Sequence, residues 1–173
     1  SIILSDKLLA ESEYSSDKFD SIHKPLKVEV KRKLPGEAIV KANSYEHDKY
    51  GNTSETAETA KENAEERLKK YEEIKKQVKN FEMIKIFGKK ESKNLVIGWG
   101  SSKTAILDAI KGLDYKFLQV IYMKPLSDEI KKHIEAAKKV IIVEQNVTGQ
   151  LGRLIREKTG ISIKHRILKY DAR

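Results

Sequence analysis

The segment Gly98–Lys103, with the sequence GWGSSK, has the residue types of an anion-binding turn. It follows an apolar run and precedes an amphipathic one, so it is predicted to end a strand and begin a helix. Free backbone N–H groups and a lysine would converge there, and they could hold a phosphate. The segment is not a dinucleotide fingerprint, because Lys103 replaces the third glycine of the G-x-G-x-x-G pattern. A purely structural tight turn is the alternative. The candidates for an interface or anion-binding role are Gly98, Gly100, Ser101 and Ser102.

A second polar segment, Glu144–Gln150, is predicted to follow a later strand and to precede another helix. It carries several amides and one carboxylate in the sequence EQNVTGQ. Amides at a strand end either bind ligands or cap the following helix, and the residues alone do not decide between the two. Asn146 joins the interface or anion-binding candidates.

The segment Glu46-His47-Asp48 is the only place in the chain where an imidazole lies among carboxylates. Neighbouring carboxylates can raise the basicity of a histidine or complete a metal site. A metal site is disfavoured, because adjacent residues in a loop rarely all face one ion. His47 and Asp48 are therefore candidates for orienting a substrate or a partner, and no metal ligand is predicted.

From residue 95 onward, apolar runs alternate with amphipathic ones. Buried strands that are separated by helices pair in parallel through right-handed crossovers. The fold class is therefore α/β, with a mainly parallel sheet, helices on both faces and a working edge at the carboxyl ends of the strands. The predicted strands are Leu95–Gly98, Lys116–Tyr122, Val140–Glu144 and Ile161–Leu168, and the predicted helices are Ser102–Leu113, Asp128–Ala137 and Gln150–Lys158.

The residues before this unit predict a connector and a long helix. Ile2–Leu4 is predicted as a short strand, and the connector that follows carries an edge strand at Lys27–Lys31. Asn52 and Glu55 have the spacing of an N-cap and its reciprocal acid. Apolar residues then recur at steps of three and four as far as Phe81, which predicts a helix that braces a core with this stripe; a coiled coil is the alternative. The predicted domains are residues 1–50 and 51–173.

Composition excludes several classes of function. The net charge is +9, but lysine and arginine alternate with glutamate along the chain, so a solvated surface is favoured over a nucleic-acid patch. The chain has no cysteine, which excludes a disulfide, a thiolate nucleophile and a cysteine-bound cluster on it. No apolar run is long enough to span a membrane, so a soluble, cytoplasmic protein is predicted. No nucleophile and base stand at a recognisable spacing, and no catalytic residue is predicted.

Five segments, taken together and in order, resemble the C-terminal portion of the α subunit of 2-oxoacid:ferredoxin oxidoreductases. They are IILSDKLLAES, VKANSYEHDKYGNTSE, VIGWGSSKTAILDAI, VIIVEQNVTGQLGRLIREKTG and ILKYDAR. The loop with His47, Asp48 and Gly51 is one of the two most specific parts, and the segment Glu144–Leu151 is the other. The sequence departs from the family at Gln145, where a second acid is usual, at Ala172, where glycine is usual, and at Arg173, beyond which family chains continue through proline.

The resemblance implies a domain like the C-terminal domain of transketolase, packed behind a thiamine-binding domain that this chain lacks. It implies that thiamine diphosphate, magnesium and a 4Fe-4S cluster belong to the assembled complex, with no cofactor on this chain. The implied partners are the β subunit, the remainder of the α subunit, ferredoxin and coenzyme A, with no nucleic acid and no membrane. Ile2–Leu4 would then end the missing upstream domain.

Together these observations predict a scaffold and subunit-interface role within an enzyme that decarboxylates 2-oxoacids oxidatively. We expect the His47-Asp48 loop to approach the assembled active-site cleft, and Gly98–Ser102 with Asn146 to line an interface. The alternative is a stand-alone α/β module that binds a phosphorylated small molecule through Gly98–Lys103. A third possibility, a basic nucleic-acid binder, lacks the charge clustering that it requires. The sequence leaves open which 2-oxoacid is used.

Overall fold

The structure is a computed structural model that describes residues 11, 13 and 43–171. The predicted strands Ile2–Leu4 and Lys27–Lys31, and the departures at Ala172 and Arg173, lie outside the described residues. Residues 43–76 belong to one compact unit, and residues 77–171 belong to another. The predicted boundary at residue 50 stays a prediction.

The first unit consists of a loop and most of the long helix α1, Ala57–Val78. The hydroxyl of Thr56 accepts a hydrogen bond from the backbone N–H of Thr59, which places Thr56 at the N-cap. The prediction that the helix begins from Asn52 is wrong, because the backbone and side-chain N–H groups of Asn52 instead bind Asp48.

The apolar stripe of α1, which is predicted to brace a core, is not buried among the residues that the structure describes. None of the 22 residues of the helix is buried, and Leu68 is 66% exposed. The alanines that make up much of the stripe offer little surface to bury. The helix also ends at Val78, before Phe81, whose ring stacks on that of Tyr122 at 6.4 Å in the second unit.

The second unit is built on a five-stranded sheet in the order β1-β3-β2-β4-β5. Its strands are β1 Ile84–Gly88, β2 Asn94–Trp99, β3 Lys116–Val120, β4 Lys139–Glu144 and β5 His165–Leu168. The pairs β2–β3, β2–β4 and β4–β5 are parallel, as predicted. The antiparallel edge strand β1 was not predicted, and it pairs with β3 from Ile84 opposite Val120 to Gly88 opposite Lys116.

Three helices connect the parallel strands: α2 Ser102–Ile110, α3 Glu129–Ala136 and α4 Gln150–Thr159. All three lie close to their predicted ranges. Two strands are shorter than predicted. The third strand ends at Val120 because the next two backbone N–H groups both bind Met83 O, and the last begins only at His165.

The core lies on both faces of the sheet. On one face, Val96 and Phe117 pack against Ile106 of α2. On the other face, α3 and α4 contribute Ile130, Ile134, Leu151 and Ile155 to the larger cluster, which also contains Leu95, Ile97, Leu118 and Ile142. Helices therefore cover both faces, and the predicted fold class is confirmed. Among the described residues, no helix is long and apolar enough to cross a membrane.

Candidate functional site

The carboxyl ends of β2 and β4 flank the place where the winding of the sheet reverses. These two strands are hydrogen-bonded neighbours, yet the helix after β2 packs on one face of the sheet and the helix after β4 packs on the other. In open α/β sheets, ligands bind in the crevice at such a switch point. Both candidate segments of this unit, Gly98–Ser102 and Glu144–Gly149, lie at this edge.

One side-chain contact joins the two segments. The hydroxyl of Ser101 donates a hydrogen bond to Gln145 Oε1 at 3.1 Å, across 44 residues of sequence. Gln145 is the position where an acid was expected by resemblance, and here it accepts a hydrogen bond without carrying charge. The bond links the segments that follow β2 and β4.

The turn after β2 is held by its own residues. The hydroxyl of Ser102 donates to Trp99 O at 2.6 Å and accepts from Trp99 N at 3.3 Å, and Ser102 is buried. A Cβ atom on Gly98 would lie 2.6 Å from Ile106 Cδ1, so any larger residue here would require the end of the Ile106 side chain to move. Lys103 Nζ lies 4.9 Å from the centre of the Phe87 ring, in a cation–π contact. These contacts favour the structural interpretation of the turn over phosphate binding.

Glu144 and Asn146 cap the start of α4. The buried carboxylate of Glu144 accepts hydrogen bonds from Leu151 N at 2.8 Å, Gly152 N at 3.0 Å and Asn146 Nδ2 at 2.9 Å. The side-chain oxygen of Asn146 accepts from Gln150 N at 3.1 Å. A helix begins with unpaired N–H groups and a partial positive charge, and a carboxylate satisfies both. Both side chains therefore act as caps of α4, while the proposed interface role of Asn146 stays a prediction.

The second candidate site is the loop that contains His47 and Asp48, in the first unit. Asp48 Oδ1 accepts hydrogen bonds from Tyr50 N at 2.9 Å and Asn52 N at 2.8 Å, and His47 pairs with Thr53 in a short antiparallel bridge. The Asn52 backbone bond, followed by the Tyr50 backbone bond, lowers the pKa of Asp48. The carboxylate of Asp48 thus shapes the loop around the Gly51 turn.

Glu46 fastens this loop to α1. Its carboxylate receives two hydrogen bonds from Arg67, at 2.7 Å and 3.2 Å, and one from Asn63 Nδ2 at 2.8 Å. Asn63 also donates to His47 O at 3.0 Å. The Arg67 bonds, with that of Asn63 second, lower the pKa of Glu46. Sequence reasoning missed Asn63 and Arg67, although their spacing of four places both on one helix face.

His47 is the unusual member of this loop. Its Nε2 atom is buried and has no hydrogen-bond partner among the described residues. The residue lines an open cleft of about 340 Å³ together with Glu46, Asn63, Glu66, Arg67 and Lys70. Buried polar nitrogens are nearly always paired, so Nε2 is a candidate for a hydrogen bond to a group outside the described residues. The carboxylate of Asp48, in contrast, already accepts hydrogen bonds from the backbone of its own loop.

No protein-family model matches the chain. The chain is 33% identical over 144 residues to the alpha subunit of 2-oxoacid:ferredoxin oxidoreductase from Saccharolobus solfataricus, which covers 80% of this chain and 23% of that subunit. It is 30% identical over 175 residues to subunit alpha of 2-oxoacid:ferredoxin oxidoreductase 1 from Sulfurisphaera tokodaii, across 97% of this chain and 28% of that subunit. The chain belongs to the 2-oxoacid:ferredoxin oxidoreductase alpha-subunit family.

A solved structure shares the fold. The 2-oxoglutarate:ferredoxin oxidoreductase from Magnetococcus marinus superposes with a TM-score of 0.59 at 23% identity, over 79% of this chain and 25% of the other. That structure holds 2-oxoglutarate, coenzyme A and succinyl-CoA. The chain spans only about a quarter of the length of the alpha subunits that it matches. Its place within the longer alpha subunit, expected at the C-terminal end, stays a prediction.

Proposed function

We propose that the chain forms one part of the alpha subunit of an enzyme that converts a 2-oxoacid and coenzyme A into an acyl-CoA and carbon dioxide. The two electrons released pass to ferredoxin. The observation that carries this proposal is the relationship to named alpha subunits along nearly the whole chain. The chain's own task in the enzyme is to act as a scaffold and to present surfaces to the β subunit and to the rest of the alpha subunit.

Thiamine diphosphate, magnesium and the 4Fe-4S cluster are assigned by this proposal to other parts of the complex. The chain contains no cysteine to hold a cluster. The described residues contain no group of three or more histidines and acids placed to hold a metal ion. When bound elsewhere in the enzyme, thiamine diphosphate supplies the carbanion chemistry, and the protein orients the substrate and excludes water.

Within this role, His47 is proposed to face the active-site cleft of the assembled enzyme. Its unpaired, buried Nε2 supports that proposal, since a hydrogen-bonding partner from outside the described residues would satisfy it. Asp48 is proposed to act on the site through the shape of the loop, because its carboxylate binds the backbone on either side of Gly51. The switch-point residues Ser101 and Asn146 keep their proposed place at an interface.

The experiment compares the pure 173-residue chain with the complete enzyme. The full-length alpha subunit is produced together with its β subunit, and reduction of ferredoxin or methyl viologen is measured with a 2-oxoacid and coenzyme A. We expect activity from the complete enzyme and none from the 173-residue chain. Activity of the chain alone, or an inactive but correctly assembled enzyme across a panel of 2-oxoacids, would overturn the proposal.

A further inference from the structure

An apolar groove lies beside α2, on the face of the sheet that this helix only partly covers. Ile110, Leu113 and Tyr115 line one side of the groove, and Ile141, Val143 and Ile167 from β4 and β5 form its floor. Its volume is about 220 Å³. Ile167 is 56% exposed and Leu113 is 52% exposed, so large apolar side chains face solvent here.

Side chains on the two faces of β4 are buried to different extents. On the face of α3 and α4, Ile142 is completely buried. On the groove face, Ile141 and Val143 are only half-buried, and Val143 stands beside the exposed Ile167 in the β4–β5 register. Parallel strands occur almost only in sheets that are covered on both faces, and no helix or strand within residues 43–171 covers this strip.

The open strip has the width of one helix. Helix α2 packs mainly against β2 and β3. Neighbouring strands are spaced about 4.8 Å apart, so the adjoining pair β4 and β5 spans about 10 Å, which is the usual distance between packed helices. One helix laid beside α2 would cover Ile141, Val143 and Ile167 and complete the layer.

We propose that this groove is the docking site of an amphipathic helix from the part of the alpha subunit that lies outside these 173 residues. The related alpha subunits are about four times as long as the segment that this chain matches, so most of such a subunit lies outside these residues. The inference rests on the proposed function in one respect only, that the chain belongs to such a longer subunit.

The rim of the groove defines the chemistry of the docked helix. His165 pairs with Ile141 in the β4–β5 register and is exposed on the groove face of β5. The edge segment 160–170 is basic throughout, because it carries Lys164, Arg166 and Lys169 and contains no aspartate or glutamate. A helix with leucine-like residues on its buried face and acidic residues on the flank toward β5 complements this surface. A purely apolar or a basic segment would not.

Thiol labelling tests the docking, since the chain has no native cysteine. Ile167→Cys is made both in the 173-residue chain and in the full-length subunit of the assembled enzyme, and maleimide modification of the new thiol is followed by peptide mass spectrometry. Tyr170→Cys is the matched control, because Tyr170 is 67% exposed, lies three residues further along and does not line the groove. We expect the thiol of the Ile167→Cys variant to react at least about tenfold more slowly in the full-length subunit, and that of the Tyr170→Cys variant to react equally in both proteins.

Three results would overturn the proposal. Equal labelling rates for Ile167→Cys in the chain and in the full-length subunit would mean that the groove stays open. Slow labelling of this variant already in the 173-residue chain would mean that a segment of this chain or a second copy covers the groove. Slowing of the Ile167→Cys and Tyr170→Cys variants alike would show general shielding without a docked helix.

A second variant separates this proposal from the function of the enzyme. Ile167→Asp leaves the melting temperature of the 173-residue chain within about 2 °C, because the side chain is exposed there, but lowers that of the full-length subunit by at least about 5 °C. Equal shifts in the two proteins would refute the docking while leaving the activity assay untouched. An enzyme with no 2-oxoacid activity, but with the thiol of Ile167→Cys protected, would refute the proposed function while leaving the docking intact.

Discussion

The backbone N–H of Leu151 donates a 2.8 Å hydrogen bond to the carboxylate of Glu144, and the carboxylate is completely buried. Glu144 is the last residue of β4, and Leu151 stands in the first turn of α4. A second N–H of the same turn, that of Gly152, binds the other carboxylate oxygen at 3.0 Å. The strand thus supplies the cap of its own following helix, which fixes the angle at which the chain passes from sheet to helix.

Replacing this carboxylate should destabilise the second unit. Glu144→Gln turns one acceptor oxygen into an NH₂ group that faces backbone N–H donors, which leaves buried polar groups unpaired. We expect the free energy of unfolding to fall by about 1–3 kcal/mol in urea titrations. Glu135→Gln, on the exposed side of α3, is the control and should change it by less than about 0.5 kcal/mol. Equal effects of the two substitutions would refute the cap.

The core position Ile142 gives the largest expected loss of stability. Ile142 lies on β4, the strand between β2 and β5, and its side chain is completely buried against α3 and α4, so Ile142→Asp would bury an unpaired carboxylate and should unfold the unit. The control is Ile121→Asp, since Ile121 is 41% exposed just past the end of β3. Circular dichroism and thermal melting distinguish the two. An Ile142→Asp variant that melts within a few degrees of the parent would show that the assignment of the strand is wrong.

The close approach of α2 to β2 predicts a rescue. Gly98→Ala brings a Cβ atom to 2.6 Å from Ile106 Cδ1 and 3.1 Å from Ser102 Oγ, so it should cost about 1–3 kcal/mol of unfolding free energy. Ile106→Val removes the clashing methyl group at a cost of about 0.5–1.5 kcal/mol by itself. The double variant should therefore be more stable than the sum of the two single losses predicts. If the two losses of unfolding free energy simply add in the double variant, the contact between position 98 and Ile106 is contradicted.

The loop of the first unit should respond to acid. The hydrogen bonds of Arg67 and Asn63 lower the pKa of Glu46 from its ordinary value of 4.5. A lowered folded-state pKa means that the contribution to loop docking is fully present above pH 4.5 and is lost as the pH falls through the folded-state value. Carboxyl-carbon NMR titration should show the pKa of Glu46 rising in Arg67→Met. Lys70→Met is the control, because it removes a cation of the same cleft that is not bonded to Glu46, and it should leave the pKa of Glu46 nearly unchanged. Equal pKa shifts in the two variants would contradict the role assigned to Arg67.

His47 and Asp48 should differ in the way their loss affects the assembled enzyme. His47→Phe removes the unpaired nitrogen and should lower turnover, while the amide NMR signals of Tyr50 and Asn52 in the 173-residue chain stay in place. Asp48→Asn weakens the acceptor for those two amides, so it should lower turnover only together with a shift of their signals. Tyr50→Phe, at a residue 76% exposed on the same loop, is the control. Unaltered kinetics in His47→Phe would remove the proposed role of the imidazole.

Much of the second unit could be predicted from sequence. Nearly continuous apolar runs mark β2, β3 and β4 because strands that are buried on both faces need apolar residues at successive positions. The antiparallel strand β1 escaped prediction because its edge position leaves Lys85 exposed and Phe87 half-buried, so its pattern is short and mixed. The bracing role of α1 could not be established from its apolar stripe. Periodicity shows that residues share one face of a helix, but it does not show that anything covers that face.

The candidate sites, too, could be predicted only in part from the sequence. The sequence by itself determined which segments end parallel strands, and therefore that Gly98–Ser102 and Glu144–Gly149 lie at one edge of the sheet. Only the tertiary structure decided that Ser101 reaches Gln145, that Glu144 caps α4, and that Arg67 holds Glu46 while His47 keeps a buried nitrogen unpaired. The physical reason is that periodicity follows from local backbone geometry, whereas the choice of hydrogen-bond partner depends on side chains that folding brings together from distant parts of the chain.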